Sequence, residues 1–546
     1  MISLFPMPTS TFSRFPQLAL LGLLSFTSLT ARAQNETGRR WQHLDLQADG
    51  VPGISADRAY RELLANRKPT PVLVAVLDSG IDSTHQDLKA VLWRKPSEIA
   101  GNGVDDDQNG YVDDVRGWNF LGGKDGQNIA VETLEQTRIY GQYKAQFEGK
   151  KRKSLSVADQ AKFDVYALAK ASYLKDVAAE NKQLLMLNEA FTSNTATFER
   201  MKQALNTPRL DTALLRQAAR SRPDVSGAGS LYAFLSRNHF ASTDESLKSL
   251  TEAITHSRDR VEKSLNPAYN PRPIVGDDVA NLAETGYGNP DSQGPDATHG
   301  THCAGIIAGV RGNQLGADGV ADAVRIMSVR STPSGDERDK DVANAIRYAV
   351  DNGAQIISMS FGKDYSPDKA AVDAAMRYAD QKGVLLVHAA GNSGNDNDAG
   401  LNYPSARYLN GQDIANQITV GASSRLNTPE LAARFSNYGK QTVDVFAPGV
   451  DIYSSTPANT YATFSGTSMA APVVAGVAAV LKSYFPQLTA LQLKQIILQS
   501  AVPYHTKVNK PGTKKLVDFA TLSKSGGIVN LYEAVKLADQ QTAAVK

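Results

Sequence analysis

The apolar positions of this chain fall into short continuous runs separated by helical patterns. The run from Pro71 to Leu77 is rich in β-branched residues and ends at Asp78, which is typical of a strand buried on both faces. Similar runs predict further strands, at residues 324–329, 355–360, 384–388 and 417–420. Patterns between them predict helices, at residues 340–352 and 368–383. This alternation predicts an α/β fold of three layers, with a mainly parallel central sheet and helices on both faces.

The segment from Lys124 to Asn270 has a different composition, rich in Lys, Glu, Gln, Ala and Leu. Apolar side chains such as Tyr166, Tyr173 and Val177 recur there at roughly helical spacing. We therefore expect an inserted helical subdomain at residues 123–271. It would separate two parts of one large domain, residues 34–122 and 272–540.

The N-terminus has the pattern of a signal peptide. Arg14 precedes an apolar run from Leu18 to Leu29, and an A-x-A cleavage site ends at Ala33. We expect residues 1–33 to be removed and the mature protein to be secreted or periplasmic; a buried N-terminal helix is the alternative. No later segment reaches about 18 uninterrupted apolar residues, so we expect no membrane span.

Composition and charge exclude only a few classes of protein function. The chain is 42% hydrophobic and 21% charged, and its net charge is +2. Because neither sign dominates, we expect no nucleic-acid partner. We also expect a monomer. The single cysteine, Cys303, excludes an internal disulfide.

Three short segments carry residues suited to nucleophilic catalysis: VLDSG around Asp78, HGTHCAG beginning at His299, and FSGTSMAAP around Ser468. A serine hydroxyl is a weak nucleophile at neutral pH and needs an adjacent base. An imidazole can take its proton, and a carboxylate can orient the imidazole and stabilise its cation. Helical residues follow Ser468, which places its hydroxyl at the positive end of a helix dipole.

Together, in the order aspartate, histidine, serine, these motifs resemble the subtilase family of serine peptidases, which has this chain order. The resemblance covers residues 41–121 and 271–539. It implies a subtilisin-like fold and a secreted serine endopeptidase of broad specificity. The enzyme would cleave protein or peptide substrates with an Asp78–His299–Ser468 triad, through an acyl-enzyme intermediate. Cys303 stands where proteinase K-like members also carry cysteine, which implies sensitivity to mercurials through disturbance of His299.

Several alternatives compete with this interpretation. His302 is a rival base, and a His-x-x-His pair can bind metal, although no second ligand cluster with zinc spacing accompanies it. A peptide-binding scaffold would not need a complete set of catalytic residues. An esterase-type hydrolase usually carries G-x-S-x-G, and the residues around Ser468 break that pattern.

The resemblance also implies an oxyanion site and a substrate groove. In the segment VHAAGNSG, Asn392 would be a side-chain donor to the oxyanion, together with the Ser468 backbone N–H. Substrate in this family is held as an extra strand. The substrate-binding residues implied are Ser358, Met359, Ser360 and Gly362 on one rim, Gly335 on the other, and Asn402 near the base of the primary pocket.

The charges near this groove predict which substrate side chains the enzyme accepts. Asn402 supplies no formal charge, so we expect no strict requirement for Arg or Lys in the primary pocket. The run from Ser334 to Lys340 is more charged than is usual in the family, which favours polar or basic side chains at outer positions.

A calcium loop is predicted after the first strand. Asp105, Asp107 and Asn109 have the D-x-D-x-N-G spacing, with Asp113 at the ninth position. The twelfth position is not Glu, so the loop is not an EF-hand, and Asp114 would substitute. A solvated acidic turn is the alternative.

The resemblance implies a second structural calcium site, which would use Asp87 and Asn313. We therefore expect Ca²⁺ as a structural cofactor.

Two features depart from the family pattern. The separation of Asp78 from His299 is unusually long because of the insertion, and the stretch before Asp78 is short for the usual folded propeptide. Latency would then be arranged differently. We expect the insertion to shield or brace the rim of the active site.

Overall fold

The structure is a computed structural model, and it describes residues 38–238, 240–400 and 402–543. The predicted signal peptide at residues 1–33 lies outside the described residues.

A nine-stranded sheet forms the centre of the molecule, and two antiparallel hairpins accompany it. The strands, numbered along the chain, are β1 (Val72–Asp78), β2 (Gly117–Asn119), β3 (Val324–Arg330), β4 (Ile356–Met359), β5 (Leu385–Ala389), β6 (Gln417–Ser423), β7 (Val445–Pro448), β8 (Ile452–Thr456), β9 (Thr460–Phe464), β10 (Val502–Pro503), β11 (Lys507–Asn509), β12 (Leu516–Asp518) and β13 (Gly527–Ile528). The order in the sheet is β10-β13-β7-β6-β5-β4-β1-β3-β2, and its neighbours are parallel except β10 and β13. The predicted parallel sheet is confirmed.

Helices surround the sheet and form the insertion. The α-helices are α1 (Leu46–Asp49), α2 (Ala56–Ala59), α3 (Glu135–Phe147), α4 (Val157–Leu205), α5 (Thr212–Ser221), α6 (Ala228–Arg237), α7 (Thr243–Asp259), α8 (Thr298–Ala308), α9 (Asp339–Asp351), α10 (Lys369–Gln381), α11 (Thr467–Tyr484), α12 (Ala490–Gln499) and α13 (Leu531–Ala543). Shorter π or 3-10 turns lie at Trp41–His43, Tyr60–Leu64, Arg152–Ser154, Arg260–Ser264, Arg272–Ile274 and Phe519–Thr521.

The alternation of side chains along β1 creates two cores. Val74 and Val76 pack on one face of the sheet, in a cluster that includes residues of α8, α11, α12 and α13. Ala75 and Leu77 pack on the other face with residues of α9 and α10. Strand side chains point alternately to opposite faces, so one apolar run supplies both cores and gives the predicted three layers.

Asp78 ends β1 at the point where the strand order reverses. β1 lies between β3 and β4, and the chain reaches these two neighbours by connections that lead to opposite sides of it. Crevices at such switch points, beyond the carboxyl ends of parallel strands, are the usual location of sites in α/β folds. The topology therefore places Asp78 where a functional site is expected.

The helices predicted for the insertion are present as α3 to α7. α4 alone has 49 residues. Aromatic side chains of its N-terminal part pack against those of α3, in a cluster that includes Tyr140, Phe147 and Tyr166. A separate apolar cluster joins the end of α4 to the following helices, with Leu215 and Leu235 fully buried. The domain boundaries at residues 123 and 271 stay a prediction.

One described helix, α11, has the length and apolar composition of a membrane span, and 83% of that segment is buried inside the molecule. Its apolar side chains belong to the core that covers one face of the sheet.

Candidate active site

Asp78 and His299 meet at the carboxyl end of β1. The Nδ1 atom of His299 lies 2.7 Å from Oδ1 of Asp78. His299 is the second residue of α8, and the next residue, Gly300, packs directly on the loop after β1. A Cβ atom at Gly300 would lie 2.2 Å from the carbonyl oxygen of Gly80, so only glycine permits this approach of helix and loop.

The pair has the electrostatics of a base held by a carboxylate. Asp78 is 2% exposed, whereas the side chain of His299 is 40% exposed. Burial lowers the pKa of His299, but the Asp78 carboxylate and its hydrogen bond raise it, and the net pKa is well above the usual value. The imidazole therefore retains an open edge and a strong affinity for a proton.

The rival base His302 faces away from this pair. Its ring is fully buried, stacks on Phe464 at 4.4 Å, and contacts the carbonyl oxygen of Ala462 through Nε2 at 3.1 Å. Burial lowers its pKa to about 4. His302 is thus a neutral packing residue between α8 and the β8–β9 hairpin.

Ser468 is the second residue of α11, at the helix N-terminus. Its Oγ donates to the carbonyl oxygen of Ser360 at 2.9 Å, and the Ser360 hydroxyl donates to the carbonyl oxygen of Ser468 at 2.9 Å. Cys303 is fully buried between the two motifs, with Sγ 3.9 Å from Nδ1 of His299 and 3.4 Å from the Ser468 carbonyl oxygen. The structure thus gathers residues of all three motifs around one point.

Two hydrogen-bond donors converge beside Ser468. Oδ1 of Asn392 accepts from the N–H and hydroxyl of Thr467, at 2.8 and 2.9 Å, which directs the amide. A Cβ atom at Gly466 would lie 3.6 Å from both Asn392 Nδ2 and the Ser468 backbone nitrogen. A small negatively charged oxygen between them could accept from both donors.

The structure narrows the predicted substrate-binding strand. Ser358 and Met359 lie inside β4, and their backbones are paired with β1 on one side and β5 on the other. They cannot also pair with a substrate, so their assignment to the substrate-binding set is corrected. Ser360 and Gly362 follow the end of β4, where the backbone leaves the sheet.

The other two predicted groove residues frame this segment. Gly335 has φ of +123°, and a Cβ atom there would lie 2.1 Å from the carbonyl oxygen of Glu132. Oδ1 of Asn402 lies 3.1 Å from a Cβ position on Gly362 and 3.4 Å from one on Gly391. Asn402 also lines a cavity of about 350 Å³, to which His388 contributes a buried ring whose pKa burial lowers to about 4.

The acidic loop after β1 gathers only part of the predicted ligand set. Carboxylate oxygens of Asp105 and Asp107 lie within 4.8 Å of one another and of a third group, Glu98. Asp113 instead accepts backbone N–H groups of residues 101–103, and Asp114 is buried against Lys95 at 3.1 Å.

Asn109 contacts the Asp114 carboxylate through Nδ2 at 3.1 Å. Glu98 is 3% exposed, and its Oε2 atom has no hydrogen-bond partner in the described part of the chain. An orphaned carboxylate oxygen beside two others fits a calcium ligand set, although the Lys95 ammonium also contacts Asp107 at 2.7 Å.

The second predicted metal site is a buried carboxylate. Asp87 is fully buried, and Nδ2 of Asn313 lies 2.6 Å from its Oδ1. Burial raises the pKa of Asp87. Among the described residues no Lys or Arg forms an ion pair with it, so a bound cation fits the charge of this site.

Sequence reasoning missed several residues of the site. Thr467 directs Asn392, Glu98 joins the acidic loop, and Arg330 donates to the carbonyl oxygens of Ser79 and Ile129 behind Asp78. Lys363 lies beside the groove in a buried ion cluster. Thr467 lies within the serine motif and was detectable there, but no local pattern marked the other three.

Comparison with known proteins gives one family. The subtilase family model matches residues 70–526. Thermitase of Thermoactinomyces vulgaris is 45% identical over 186 residues, which are 34% of this chain and 61% of thermitase. The thermophilic serine proteinase of Bacillus sp. (strain AK1) is 41% identical over 216 residues, 39% of this chain and 48% of that protein. The matches thus span about half of the Bacillus proteinase and less than two thirds of thermitase.

Several solved structures are also similar to part of this chain. The crystal structure of a cold adapted subtilisin-like serine proteinase is 32% identical and covers 43% of this chain and 77% of its own, with a TM-score of 0.35.

Proposed function

The chain belongs to the subtilase family, and from this membership we propose that it is a serine endopeptidase with Asp78, His299 and Ser468 as its catalytic triad. The observation that carries the proposal is the 2.7 Å contact between His299 and a buried Asp78. Cys303 contacts both His299 and the carbonyl oxygen of Ser468, which brings this serine at a helix N-terminus close to the pair. A peptide-binding scaffold would have no use for this arrangement.

The chemistry proceeds in two halves. Rotation of Ser468 from its contact with Ser360 would bring Oγ to the open edge of His299, which accepts the hydroxyl proton as Oγ bonds to the substrate carbonyl carbon. The imidazolium then gives that proton to the leaving amine as the C–N bond breaks, leaving an acyl-enzyme. In the second half, a water oxygen bonds to the acyl carbon as His299 takes a proton from the water. The bond between that carbon and Ser468 Oγ then breaks, and the imidazolium returns the proton to Oγ.

Asp78 and Asn392 have supporting roles in this proposal. The Asp78 carboxylate holds His299 in the tautomer with Nδ1–H and stabilises the imidazolium. The Nδ2 group of Asn392 and the Ser468 N–H would donate to the oxyanion in both tetrahedral intermediates. The contacts of Asn392 with Thr467 support this role, because they fix Oδ1 and leave Nδ2 toward the cleft.

We propose that protein or peptide chains are the substrates and that they lie along Ser360–Gly362, with the Asn402 cavity taking one side chain. Asn402 and Tyr403 in the lining of this cavity are uncharged, and its charged residues, Lys369, Asp398 and Arg407, include both signs, which supports broad specificity without a strict charge requirement.

We also propose secretion and structural calcium. The signal-peptide pattern at residues 1–33 supports export. Asp87 with Asn313, and Glu98 with Asp105 and Asp107, are the residues that would hold Ca²⁺. The ion would neutralise buried carboxylates and tie together loops of the fold.

The test is hydrolysis of casein by the mature protein, alongside labelling with a fluorophosphonate probe. We expect Ser468→Ala to lose both activities while remaining folded. Ser465→Ala, an exposed serine three positions earlier, is the matched control and should retain both. A folded wild-type protein that neither cleaves nor labels would overturn the proposal.

A further inference from the structure

Three buried side chains cross the groove in which a substrate strand would lie. Glu135 and Arg138 come from α3 of the insertion, and Lys363 follows the rim segment Ser360–Gly362. The Lys363 Nζ atom lies 2.7 Å from Oε2 of Glu135, and Nη2 of Arg138 lies 2.6 Å from the same oxygen. We call these three residues the cross-groove cluster.

The cluster reaches the opposite rim of the groove. Lys363 Nζ donates to the carbonyl oxygen of Glu337 at 2.8 Å, and Arg138 donates to that of Asp336 at 3.3 Å. The Glu135 backbone N–H also donates to the Asp336 carboxylate at 2.7 Å. A substrate strand would need rim carbonyl groups as acceptors, and at these two positions the protein's own side chains already occupy them.

The insertion also holds that rim in place. The Ser334 N–H donates to the carbonyl oxygen of Ala130 at 3.0 Å, and the Glu132 N–H donates to that of Ser334 at 2.8 Å. Glu132 lies so close to Gly335 that a side chain could not fit between them. The rim is therefore built jointly by the insertion and the segment before α9.

Only a short stretch of the groove remains free for a substrate. In the described chain, the backbone groups of Gly335 and Gly362 form no hydrogen bonds, whereas the N–H and carbonyl of Lys363 both pair with Tyr403. The carbonyl oxygen of Ser360 lies 2.9 Å from the Ser468 hydroxyl. From Ser360 to Lys363 an extended chain advances about 10 Å, the length of about three residues.

The cross-groove cluster is held in one arrangement because each of its charged groups is paired with a group of opposite charge. Lys363 also contacts Asp339 at 2.9 Å, and Arg138 lies 3.8 Å from Glu132. The three cluster side chains are at most 14% exposed. Separating such pairs would leave buried charges without partners, which is strongly unfavourable.

We propose that the cross-groove cluster ends the substrate groove about three residues from the scissile bond, on the acyl side, and so sets how much of a substrate the enzyme orders. This inference rests on the proposed endopeptidase function. The Asn402 cavity identifies the acyl side, because it would take the side chain next to the scissile bond. The free stretch at Gly362 lies next to this cavity. A fourth residue on that side finds no backbone partner.

The first experiment uses the wild-type enzyme alone. Peptides with one constant leaving-group sequence are extended on the acyl side, one residue at a time, from a dipeptide to a pentapeptide. We expect kcat/KM to rise up to the third residue and to stay flat or fall with the fourth. A rise of about tenfold from the fourth residue, as two new backbone hydrogen bonds would give, would overturn the proposal.

The second experiment removes two side chains of the cross-groove cluster. The double variant Glu135→Ala/Arg138→Ala removes one acid and one base, and it leaves Lys363 paired with Asp339 and Glu132 paired with Arg338 at 2.9 Å. We expect the fourth residue to raise kcat/KM about tenfold in this variant. The matched control, Arg152→Ala/Asp164→Ala, removes an exposed 2.7 Å ion pair of the insertion and should keep the wild-type length dependence.

Each result decides between the possibilities. If the double variant keeps the wild-type profile, the cluster does not limit the groove and the proposal fails. If the double variant does not fold, the wild-type length series decides by itself. If wild-type enzyme cleaves no peptide and takes up no fluorophosphonate, the proposed function fails and this inference fails with it. Cleavage with an unrestricted length profile overturns the inference alone.

Discussion

Pro472 leaves the carbonyl oxygen of Ser468 without the backbone donor that another residue four positions on would supply. The Ser360 hydroxyl and the Cys303 thiol donate to that oxygen instead, at 2.9 and 3.4 Å. The first turn of α11 is thereby tied to the end of β4 and to α8, which carries His299. The position of Ser468 thus depends on contacts between three separate elements.

Cys303 should make the enzyme sensitive to mercurials. A metal bound at Sγ would lie between His299 and Ser468, and the reaction should be slow because burial raises the pKa of the thiol. We expect Cys303→Ala to resist inactivation, to keep most of its activity, and to lose about 1–2 kcal/mol of stability. Activity before and after mercurial treatment is the measurement. Since the chain has one cysteine, continued inhibition of the variant would refute this explanation.

Asn392→Ala should lower kcat about 10²–10³-fold with little change in KM, a size measured for such a donor in a subtilisin. Asn392→Asp separates two roles, because it keeps an acceptor for Thr467 but lacks the donor. We expect its activity to be as low or lower, since a negative charge would face the oxyanion. Asn188→Ala, on the exposed side of α4, is the control. Recovery of activity in Asn392→Asp would assign Asn392 a structural role only.

The pH dependence of kcat/KM should follow the protonation of His299. Catalysis needs the neutral imidazole, and Asp78 holds the pKa of His299 above its usual value despite burial. Activity should therefore rise with pH, with its acidic limb centred above about pH 6.5, the ordinary value. Initial rates at low substrate concentration across pH 5–10 give this profile. A limb centred below pH 6 would contradict the assignment of His299 as the base.

Calcium should raise the melting temperature of the mature protein above its value in a chelator. Binding to the folded state alone stabilises by about 2.7 kcal/mol when the ion is at 100 times its Kd. Asp87→Asn and Asp105→Asn should each lose part of the difference, whereas Asp164→Asn on the insertion should keep it. Calorimetry in calcium and in chelator compares the four proteins. Equal melting temperatures of the wild type in both buffers would exclude structural calcium.

Glu337 should make the protein less stable at alkaline pH. Burial raises the pKa of its carboxyl to about 8, and Oε1 has no hydrogen-bond partner among the described residues. The folded state therefore retains a proton that the unfolded state has already released. Stability should fall as pH rises from about 5 to about 8, and then level off.

Glu337→Gln mimics the protonated carboxyl and should remove this loss, about 4–5 kcal/mol at pH 9. Denaturant unfolding of both proteins at pH 5 and pH 9 measures the effect. Glu199→Gln, an exposed residue of α4 paired with Lys202, is the control. Identical pH profiles of the wild type and Glu337→Gln would show that the carboxyl is ionised in the folded protein.

The sequence by itself determined the class of fold and the residues with catalytic potential. Continuous apolar runs marked the buried strands, because a strand covered on both faces has no polar side. The motifs around Asp78, His299 and Ser468 carry their chemistry in local spacing, so the order of residues alone makes them recognisable. The same holds for Gly300, whose place in the histidine motif reflects the close approach of α8 to the loop after β1.

Only the tertiary structure shows which of these residues lie together and what surrounds them. The family resemblance implied that Ser358 and Met359 bind substrate, but their backbones are paired with strands of the sheet on both sides, which local sequence cannot reveal. The contact of Glu135 with Lys363 joins residues 228 positions apart. Such pairs depend on how separate elements pack, and neither side chain leaves a periodic signal in its own segment. The motifs proposed for catalysis were therefore recognisable in the sequence, whereas the proposed length of the groove depends on how separate elements pack.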